Sequence, residues 1–442
     1  MLTFFMLRMF TNICFGVFYS SLSIYLILVL HLSKMDAILY TTTLIALHYG
    51  LTMLGFLISP RWISEKIFLY IGNFLHFIGV LLIFQLHANL NLGITIFVLG
   101  SMGVSNSLNL LVSKFYPDQL AAQQKMFFLN YAGMNLGSTL GYLCGGFMQI
   151  FSSTLPILAL NMATLVGATF CTFYLKIDKT QLKKSTLLGF SKTALTLALI
   201  LFSVFILVTW KKYLGLLFGL AWLFCVIFAT YRSISQHYWK NGKVFLSLCL
   251  ACLVYWSCYF LIPTILSFFV QFNVTRTLFS FTIPTAWLYN IDTILVVIGC
   301  GLFAKKLKDA ATITWYLKMG MRFIATAFLC LVIGVFTAKA GLVSLPWIVF
   351  FFVFLAGSEI FFVPISFSLI EKLIPKSDHS LFMGIWFSII GISVLIAGSL
   401  STVVSQNLSV PSQDSHTYFI FFSLLTIVLY GSSILISVKK HL

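Results

Sequence analysis

"LPWIVFFFVFLAGSEIFFVPISFSLI", residues 345–370, is a long apolar run that contains a single carboxylate, Glu359. A helix needs about 20 apolar residues to cross the hydrocarbon core of a bilayer, so this run predicts a membrane-spanning helix. Glu359 lies about 14 residues into the run, or roughly 21 Å at 1.5 Å per residue, which is near the bilayer midplane. A charged side chain there costs about 2.5–3.5 kcal/mol on insertion scales, and such acids usually mark a site or a pathway.

Apolar runs of this kind recur along the whole chain, which is 60% hydrophobic and only 8% charged. We predict an all-α polytopic membrane protein with fourteen transmembrane helices. The predicted spans are 9–31, 37–60, 67–86, 92–113, 126–150, 155–175, 193–210, 213–230, 244–270, 284–304, 320–338, 345–370, 379–404 and 416–438.

The basic residues fall mainly on one side of these spans. With the N-terminus in the cytoplasm, all but five of the 27 Lys and Arg residues lie at the cytoplasmic side. The five exceptions are Lys34, Lys211, Lys212, Arg276 and Lys339. This positive-inside bias predicts that both termini are cytoplasmic. It also explains the net charge of +17 without nucleic acid as a partner. The short loops and compact termini favour a bacterial inner membrane.

The predicted spans group as six, two and six. We expect an N-terminal six-helix bundle over 1–175, basic linkers with an inserted helix pair over 176–243, and a C-terminal six-helix bundle over 244–442. Secondary transporters of this plan bind a solute near the midplane between repeats. The chain has no ATP-binding P-loop, so transport would draw on a gradient.

The sequence shows no arrangement typical of an enzyme. It contains no metal-ligand cluster and no nucleophile–base pair, so we expect no catalytic residue, metal or cofactor. Cys249 and Cys252 form a C-x-x-C within an apolar run, where buried cysteine behaves as a small hydrophobe. We interpret both as packing residues.

Three stretches carry a family resemblance. "FFLNYAGMNLGSTLG" (127–141) contains Tyr131, Asn135 and Gly137, "IPTAW" (283–287) contains Trp287, and the run around Glu359 continues to Trp386. In this order and spacing they resemble the proton-dependent oligopeptide transporter (POT) family. That resemblance implies the major facilitator superfamily fold and transport of a small polar or zwitterionic solute, such as a di- or tripeptide, by alternating access.

The resemblance also implies which residues bind the solute. The glutamate matching Glu359 faces the amino end of the substrate in the family, and Asp292 occupies a position where the family usually has asparagine. The substrate-binding candidates are Glu359, Asn135, Tyr131, Asp292, Trp386, Trp287, Trp256 and Tyr49. Two carboxylates would favour a cationic group on the solute.

The chain departs from the family pattern at several positions. No Asp or Glu precedes Asp36, so the first helix lacks the family's acidic motif, and Phe260 and Leu261 replace a polar pair in the seventh. Glu359 and His48 are therefore the candidates for proton coupling. His48 qualifies because histidine titrates near neutral pH.

Each candidate also has an interpretation without a functional role. Glu359 would then be a protonated packing residue, Asp292 a side chain in a wet outer vestibule, and Tyr131 and Asn135 partners in interhelical hydrogen bonds. The tryptophans and Tyr49 would be core or lipid-facing, and His48 a buried histidine with satisfied hydrogen bonds.

Three functions stay open at the level of sequence. The first is a permease resembling proton-coupled oligopeptide transporters, with a small-molecule solute, protons and the lipid bilayer as partners. The second is a divergent permease for another metabolite, such as an amino-acid derivative, a siderophore or a drug. The third is a non-transporting membrane receptor on the same fold.

Overall fold

The computed structural model describes residues 2–51, 62–85, 89–115, 120–175, 186–236, 239–303, 310–374, 379–407 and 415–436 of the 442-residue chain. The second predicted span, 37–60, and the basic linker that begins at 176 extend beyond these ranges. Helices dominate what is described. They are α1 (Leu2–Leu28), α2 (Lys34–Gly50), α3 (Glu65–Phe84), α4 (Leu90–Phe115), α5 (Leu120–Phe151), α6 (Leu155–Tyr174), α7 (Leu187–Thr209), α8 (Leu214–Ser235), α9 (Trp239–Tyr259), α10 (Ser267–Asn273), α11 (Thr285–Leu288), α12 (Asn290–Phe303), α13 (Ala310–Phe336), α14 (Leu345–Leu373), α15 (His379–Gln406) and α16 (Ser415–Leu435).

Four strands of two residues each complete the described structure: β1 (Val274–Thr275), β2 (Thr277–Leu278), β3 (Phe281–Thr282) and β4 (Val343–Ser344). β1 pairs with β4 in parallel, and β2 with β3 in an antiparallel hairpin. Arg276 holds this hairpin by donating hydrogen bonds to the carbonyls of Ile283 (2.7 Å) and Gln271 (3.1 Å). Partial burial lowers the pKa of the Arg276 guanidinium from its usual value. The group stays charged, because arginine is effectively always protonated in proteins.

Within the described ranges, ten helices are long and apolar enough to cross a membrane. The expectation of an all-α polytopic membrane protein is confirmed, whereas the count of fourteen spans stays a prediction. α7 and α8, the predicted inserted pair, bury little of their apolar surface, as expected for helices that face lipid. The predicted domain boundaries at 175 and 243 also stay predictions.

The first compact unit comprises Met1–Ser21 and Thr43–Leu214. Its helices approach closely where glycines face a neighbouring backbone. A Cβ on Gly72 of α3 would lie 2.8 Å from the carbonyl oxygen of Gly100 on α4. A Cβ on Gly137 of α5 would overlap the carbonyl oxygen of Met9 on α1. Gly133 and Gly137 form a G-x-x-x-G, a spacing of small residues that permits close helix contact.

The second compact unit comprises Leu22–Thr42 and Gly215–Leu442. Within it α13 packs against α14 and α16, α12 against α14, and α9 against α15. Cys249 and Cys252 are buried free thiols in α9. This packing brings α9, α12 and α14 together around the acidic side chains described below.

The chain bends directly after α9. Pro263 has no N–H to continue the helical bonding, and Ile262–Leu266 form a π-helical turn in which Thr264 has a non-helical backbone (φ −120°, ψ −109°). Two side-chain contacts fix the bend. The hydroxyls of Thr264 and Ser401 are hydrogen-bonded at 2.8 Å, and the Tyr289 hydroxyl donates to the Ile262 carbonyl at 3.3 Å.

Candidate functional site

Two carboxylates meet inside the second unit. Glu359 on α14 and Asp292 on α12 are each only 4% exposed. The hydroxyl of Tyr259, the last residue of α9, lies 3.1 Å from Oε2 of Glu359 and 3.4 Å from Oδ2 of Asp292. One phenol therefore bridges the only two acids that the sequence placed within spans. We call Glu359, Asp292 and Tyr259 the acidic cluster.

The position of the acidic cluster follows from helical spacing. Tyr255 and Tyr259 are four residues apart on α9, so their side chains lie on one face. The Tyr255 hydroxyl is hydrogen-bonded at 3.0 Å to that of Ser358, the residue preceding Glu359. Two consecutive turns of α9 thus contact two consecutive residues of α14. This pairing fixes the register of the two helices and aims Tyr259 at Glu359.

Two buried polar atoms beside this cluster have no hydrogen-bond partner among the described residues. They are Oδ1 of Asp292 and Nε1 of Trp256, whose side chain is 8% exposed. The Trp256 ring contacts the Tyr259 ring edge-on, with 5.3 Å between centroids. An unsatisfied buried polar group is costly and calls for an explanation. A ligand with a donor for Asp292 and an acceptor for Trp256 would satisfy both.

The burial of Asp292 excludes a solvent-exposed position within the described unit. Its helix α12 begins at Asn290, so Asp292 lies in the first turn, and yet the side chain is almost entirely covered. The alternative of a residue in a wet vestibule is therefore wrong for this structure. Asp292 instead shares a hydrogen-bond donor with Glu359.

The predicted tryptophans occupy three different surroundings. Trp256 is part of the aromatic group beside the acidic cluster, with Phe260 stacked on it at 5.6 Å. Trp386 is 1% exposed on α15. Trp287 lies on the short α11, where its ring contacts Phe281 of the hairpin at 6.0 Å. Of the three, Trp256 has a described contact to the acidic cluster.

The predicted polar residues of α5 belong to the first unit. Asn135 is 6% exposed, and its side-chain amide donates to the carbonyl of Tyr131 one turn earlier at 3.1 Å. The bond lies within one helix, which differs from the interhelical bonds considered for these residues. An interhelical bond does form nearby. Asn12 of α1 donates to Ser138 Oγ at 2.8 Å and to the Met134 carbonyl at 2.9 Å.

His48 and Tyr49 pack together in the first unit. The His48 imidazole stacks on Phe15 of α1 at 4.2 Å, and the Tyr49 ring meets both rings edge-on. A second buried histidine, His76 on α3, is hydrogen-bonded to Ser101 at 2.9 Å. Sequence reasoning gave no role to His76. Its bond joins α3 to α4 at the glycine contact described above.

Tyr259 is not among the site residues predicted from the sequence. The family pattern points instead to the adjacent positions, where Phe260 and Leu261 replace a polar pair in the seventh helix. The adjacent signal was present: tyrosines at 255 and 259, four residues apart, ending one turn before Pro263. A polar aromatic on the face of an otherwise apolar helix is a natural partner for the intramembrane acids.

Comparisons with known proteins fit this geometry. The sequence profile of the POT family, PTR2, matches residues 226–429. Dipeptide and tripeptide permease A of Cronobacter turicensis is 24% identical over 419 residues, which cover 90% of this chain and 83% of that protein. The protein of the same description from Escherichia coli K12 is 22% identical, with 95% and 88% covered. The chain is therefore similar in sequence to members of the POT family.

Solved structures of POT proteins share the fold. A bacterial homologue of the human drug peptide transporters PepT1 and PepT2 superposes with a TM-score of 0.80 at 15% identity, covering 98% of this chain and 96% of that one. Tetrameric PepTSo2 gives 0.83 at 16% identity, with the same coverage. A POT family transporter in complex with 5-aminolevulinic acid gives 0.78 at 15% identity, with 98% and 96% covered.

These matches confirm the predicted major facilitator superfamily fold of the POT type in an integral membrane protein. They are matches to transporters rather than to enzymes. The described residues contain no group of three His, Cys, Asp or Glu side chains that would hold a metal ion.

Proposed function

We propose that this protein is an alternating-access permease for a small solute that carries an ammonium group, with di- and tripeptides as the leading substrate class. The acidic cluster is the observation that carries the proposal. Glu359 and Asp292 place two carboxylates in one buried location, and an ammonium group matches them because it supplies a positive charge together with hydrogen-bond donors.

The charges on the surrounding helices favour the same solute chemistry. α12 contains no Lys or Arg, and those of α9 are Lys240 and Lys243. Lys243 precedes Tyr259 by sixteen residues, or roughly 24 Å along the helix. Basic side chains on these two helices are therefore too distant to neutralise the acidic cluster.

The relatives support the substrate class. The similar curated proteins are dipeptide and tripeptide permeases, and two of the similar structures hold alafosfalin and 5-aminolevulinic acid. We extend this chemistry to the present chain, with Glu359 at the amino end of the solute. Asn135, Tyr131, Tyr49, Trp256, Trp287 and Trp386 remain proposed contacts for the rest of it.

The setting that we propose is the bacterial inner membrane, with both termini in the cytoplasm. The bias of Lys and Arg residues supports that orientation. Protons are the proposed coupling ion for two reasons. The chain resembles a family of proton-dependent transporters, and its sequence contains no P-loop that would bind ATP.

A second substrate class is favoured by one residue. Asp292 stands where the resembled family usually has asparagine, which adds a negative charge to the site. A non-peptide amine would use that charge without needing the contacts that a peptide backbone makes. The candidate is therefore an amine-bearing metabolite rather than a peptide.

Counterflow in proteoliposomes tests these proposals. Vesicles loaded with unlabelled Ala-Ala should accumulate labelled Ala-Ala transiently. Unlabelled Ala-Ala added outside the vesicles should reduce this accumulation. N-acetyl-Ala-Ala, which lacks the ammonium group, should not. Counterflow of labelled 5-aminolevulinic acid, without counterflow of labelled dipeptides, would favour the metabolite permease. Absence of counterflow with every amine, together with thermal stabilisation of the protein by one of them, would favour a receptor.

A further inference from the structure

The acidic cluster has one hydroxyl hydrogen and two carboxylates. The Tyr259 O–H lies within hydrogen-bond distance of both acids, but it points at one oxygen at a time. The contact to Glu359 is the shorter, at 3.1 Å against 3.4 Å to Asp292. Tyr259 therefore donates its stronger hydrogen bond to Glu359, and its contact to Asp292 is the weaker one.

Asp292 is also the acid with an unsatisfied oxygen. Its Oδ1 has no hydrogen-bond partner among the described residues, and the side chain is 4% exposed. A negative charge on a buried carboxylate with one unsatisfied oxygen is costlier than a neutral carboxyl group in the same place. A second negative charge on Glu359 nearby adds repulsion, and adjacent carboxylates relieve repulsion by holding a proton.

We propose that Asp292 is the proton site of this protein, and that Tyr259 is the positioning residue that keeps Glu359 ionised for the ammonium group of the solute. The inference rests on the function proposed above. The proton binds Oδ1 of Asp292 from water on one side and leaves to water on the other. One proton on Asp292 and one ammonium group at Glu359 together neutralise the two carboxylates. The proton and the solute are therefore carried across the membrane together.

This assignment separates binding of the solute from binding of the proton, two roles for which the sequence made Glu359 a candidate. The first helix has no acid, so the sequence left Glu359 and His48 as the candidates for proton coupling. His48 belongs to the other compact unit, where it stacks on Phe15. Asp292 belongs to the same unit as Glu359, with which it shares the Tyr259 hydroxyl.

The helices around the acidic cluster carry other groups that titrate or are charged. Those on α9, α13 and α16 are Lys240, Lys243, Cys249, Cys252, Tyr255, Cys258, Tyr316, Lys318, Arg322, Cys330, His416, Tyr418 and Tyr430. Glu371 and Lys372 lie about three turns beyond Glu359 on α14. α15 begins with His379, and α12 contains Cys300 besides Asp292. Tyr255 lies four residues before Tyr259, and its hydroxyl is bonded to Ser358.

Infrared spectroscopy of the unliganded protein tests the proton site directly. Protein made by cell-free synthesis with carboxyl-labelled aspartate should shift the absorption band of a protonated carboxyl group at neutral pH. Protein made with labelled glutamate should leave that band in place, and Asp292→Asn should remove the band that aspartate labelling shifts. A band that moves with glutamate labelling, or no protonated carboxyl band at all, overturns the assignment.

The pH profile of Ala-Ala counterflow tests Tyr259. Tyr259→Phe removes the donor that stabilises ionised Glu359, so Glu359 stays protonated and unable to bind the ammonium group up to a higher pH. A hydrogen bond to a charged group is worth about one to two pH units in this respect. The acidic limb of the profile should move upward by that amount.

Tyr255→Phe is the matched control, because it removes a hydroxyl one turn away that serves Ser358 rather than a carboxylate. Its acidic limb should coincide with that of the unmodified protein, and equal shifts in both variants would refute the role of Tyr259. If the unmodified protein shows no counterflow of Ala-Ala, the proposed function fails. The infrared result still decides whether Asp292 holds the proton.

Discussion

Replacing Glu359 by Gln should weaken the binding of an amine-bearing solute while leaving the fold intact. The substitution keeps the size of the side chain and its acceptor oxygen, so Tyr259 still has a partner at the position that is now 3.1 Å from Oε2. What is lost is the negative charge at a site that is 4% exposed. Removing one partner of a buried charge pair costs about 2–5 kcal/mol.

Because the hydrogen-bond acceptor survives in Glu359→Gln, we expect the lower part of that range. A loss of about 2–3 kcal/mol corresponds to a dissociation constant for Ala-Ala that is roughly 30- to 150-fold weaker. Titration calorimetry on the purified protein measures it. N-acetyl-Ala-Ala is the matched control ligand, because its amide nitrogen carries no charge for Glu359 to recognise.

The comparison of the two ligands decides whether the reasoning is correct. If Glu359 recognises the ammonium group, the substitution penalises Ala-Ala and leaves the weak binding of N-acetyl-Ala-Ala nearly unchanged. Equal losses for both ligands would show that Glu359 acts through the shape of the site rather than through charge. An unchanged affinity for Ala-Ala would exclude Glu359 from the binding site altogether.

Three further substitutions test the packing that positions the site. Gly137→Ala places a methyl group against the Met9 backbone and should lower the midpoint of thermal unfolding by several degrees, whereas Gly431→Ala, with no atom within 4 Å of its added Cβ, should leave it unchanged. Tyr289→Phe removes the hydroxyl that bonds at the bend after α9 and should cost about 1 kcal/mol of stability in a denaturant titration; no change would argue against that clamp. Arg276→Gln should speed amide hydrogen exchange in the hairpin, because both carbonyl bonds are lost, and unaltered exchange would contradict the bracing role.

The sequence predicted the membrane fold because the bilayer imposes a local rule. Each span must be apolar over about 20 residues, and each such run can be recognised without knowing its neighbours. The run around Glu359 follows this rule. The G-x-x-x-G of α5 is a second local signal, because small residues at that spacing permit close contact whichever helix is the partner. The same local logic identified Glu359 as exceptional.

Side-chain partnerships were beyond the reach of the sequence, because they depend on which helices meet and in what register. Asn135 bonds its own helix rather than a neighbour, and Asp292 is buried although it lies in the first turn of α12. Tyr259 looked like one aromatic among many in a chain that is 17% aromatic. Only the packing of α9 against α14 and α12 gives it a role, because a hydroxyl 33 residues from Asp292 and 100 from Glu359 becomes their common donor through tertiary structure alone.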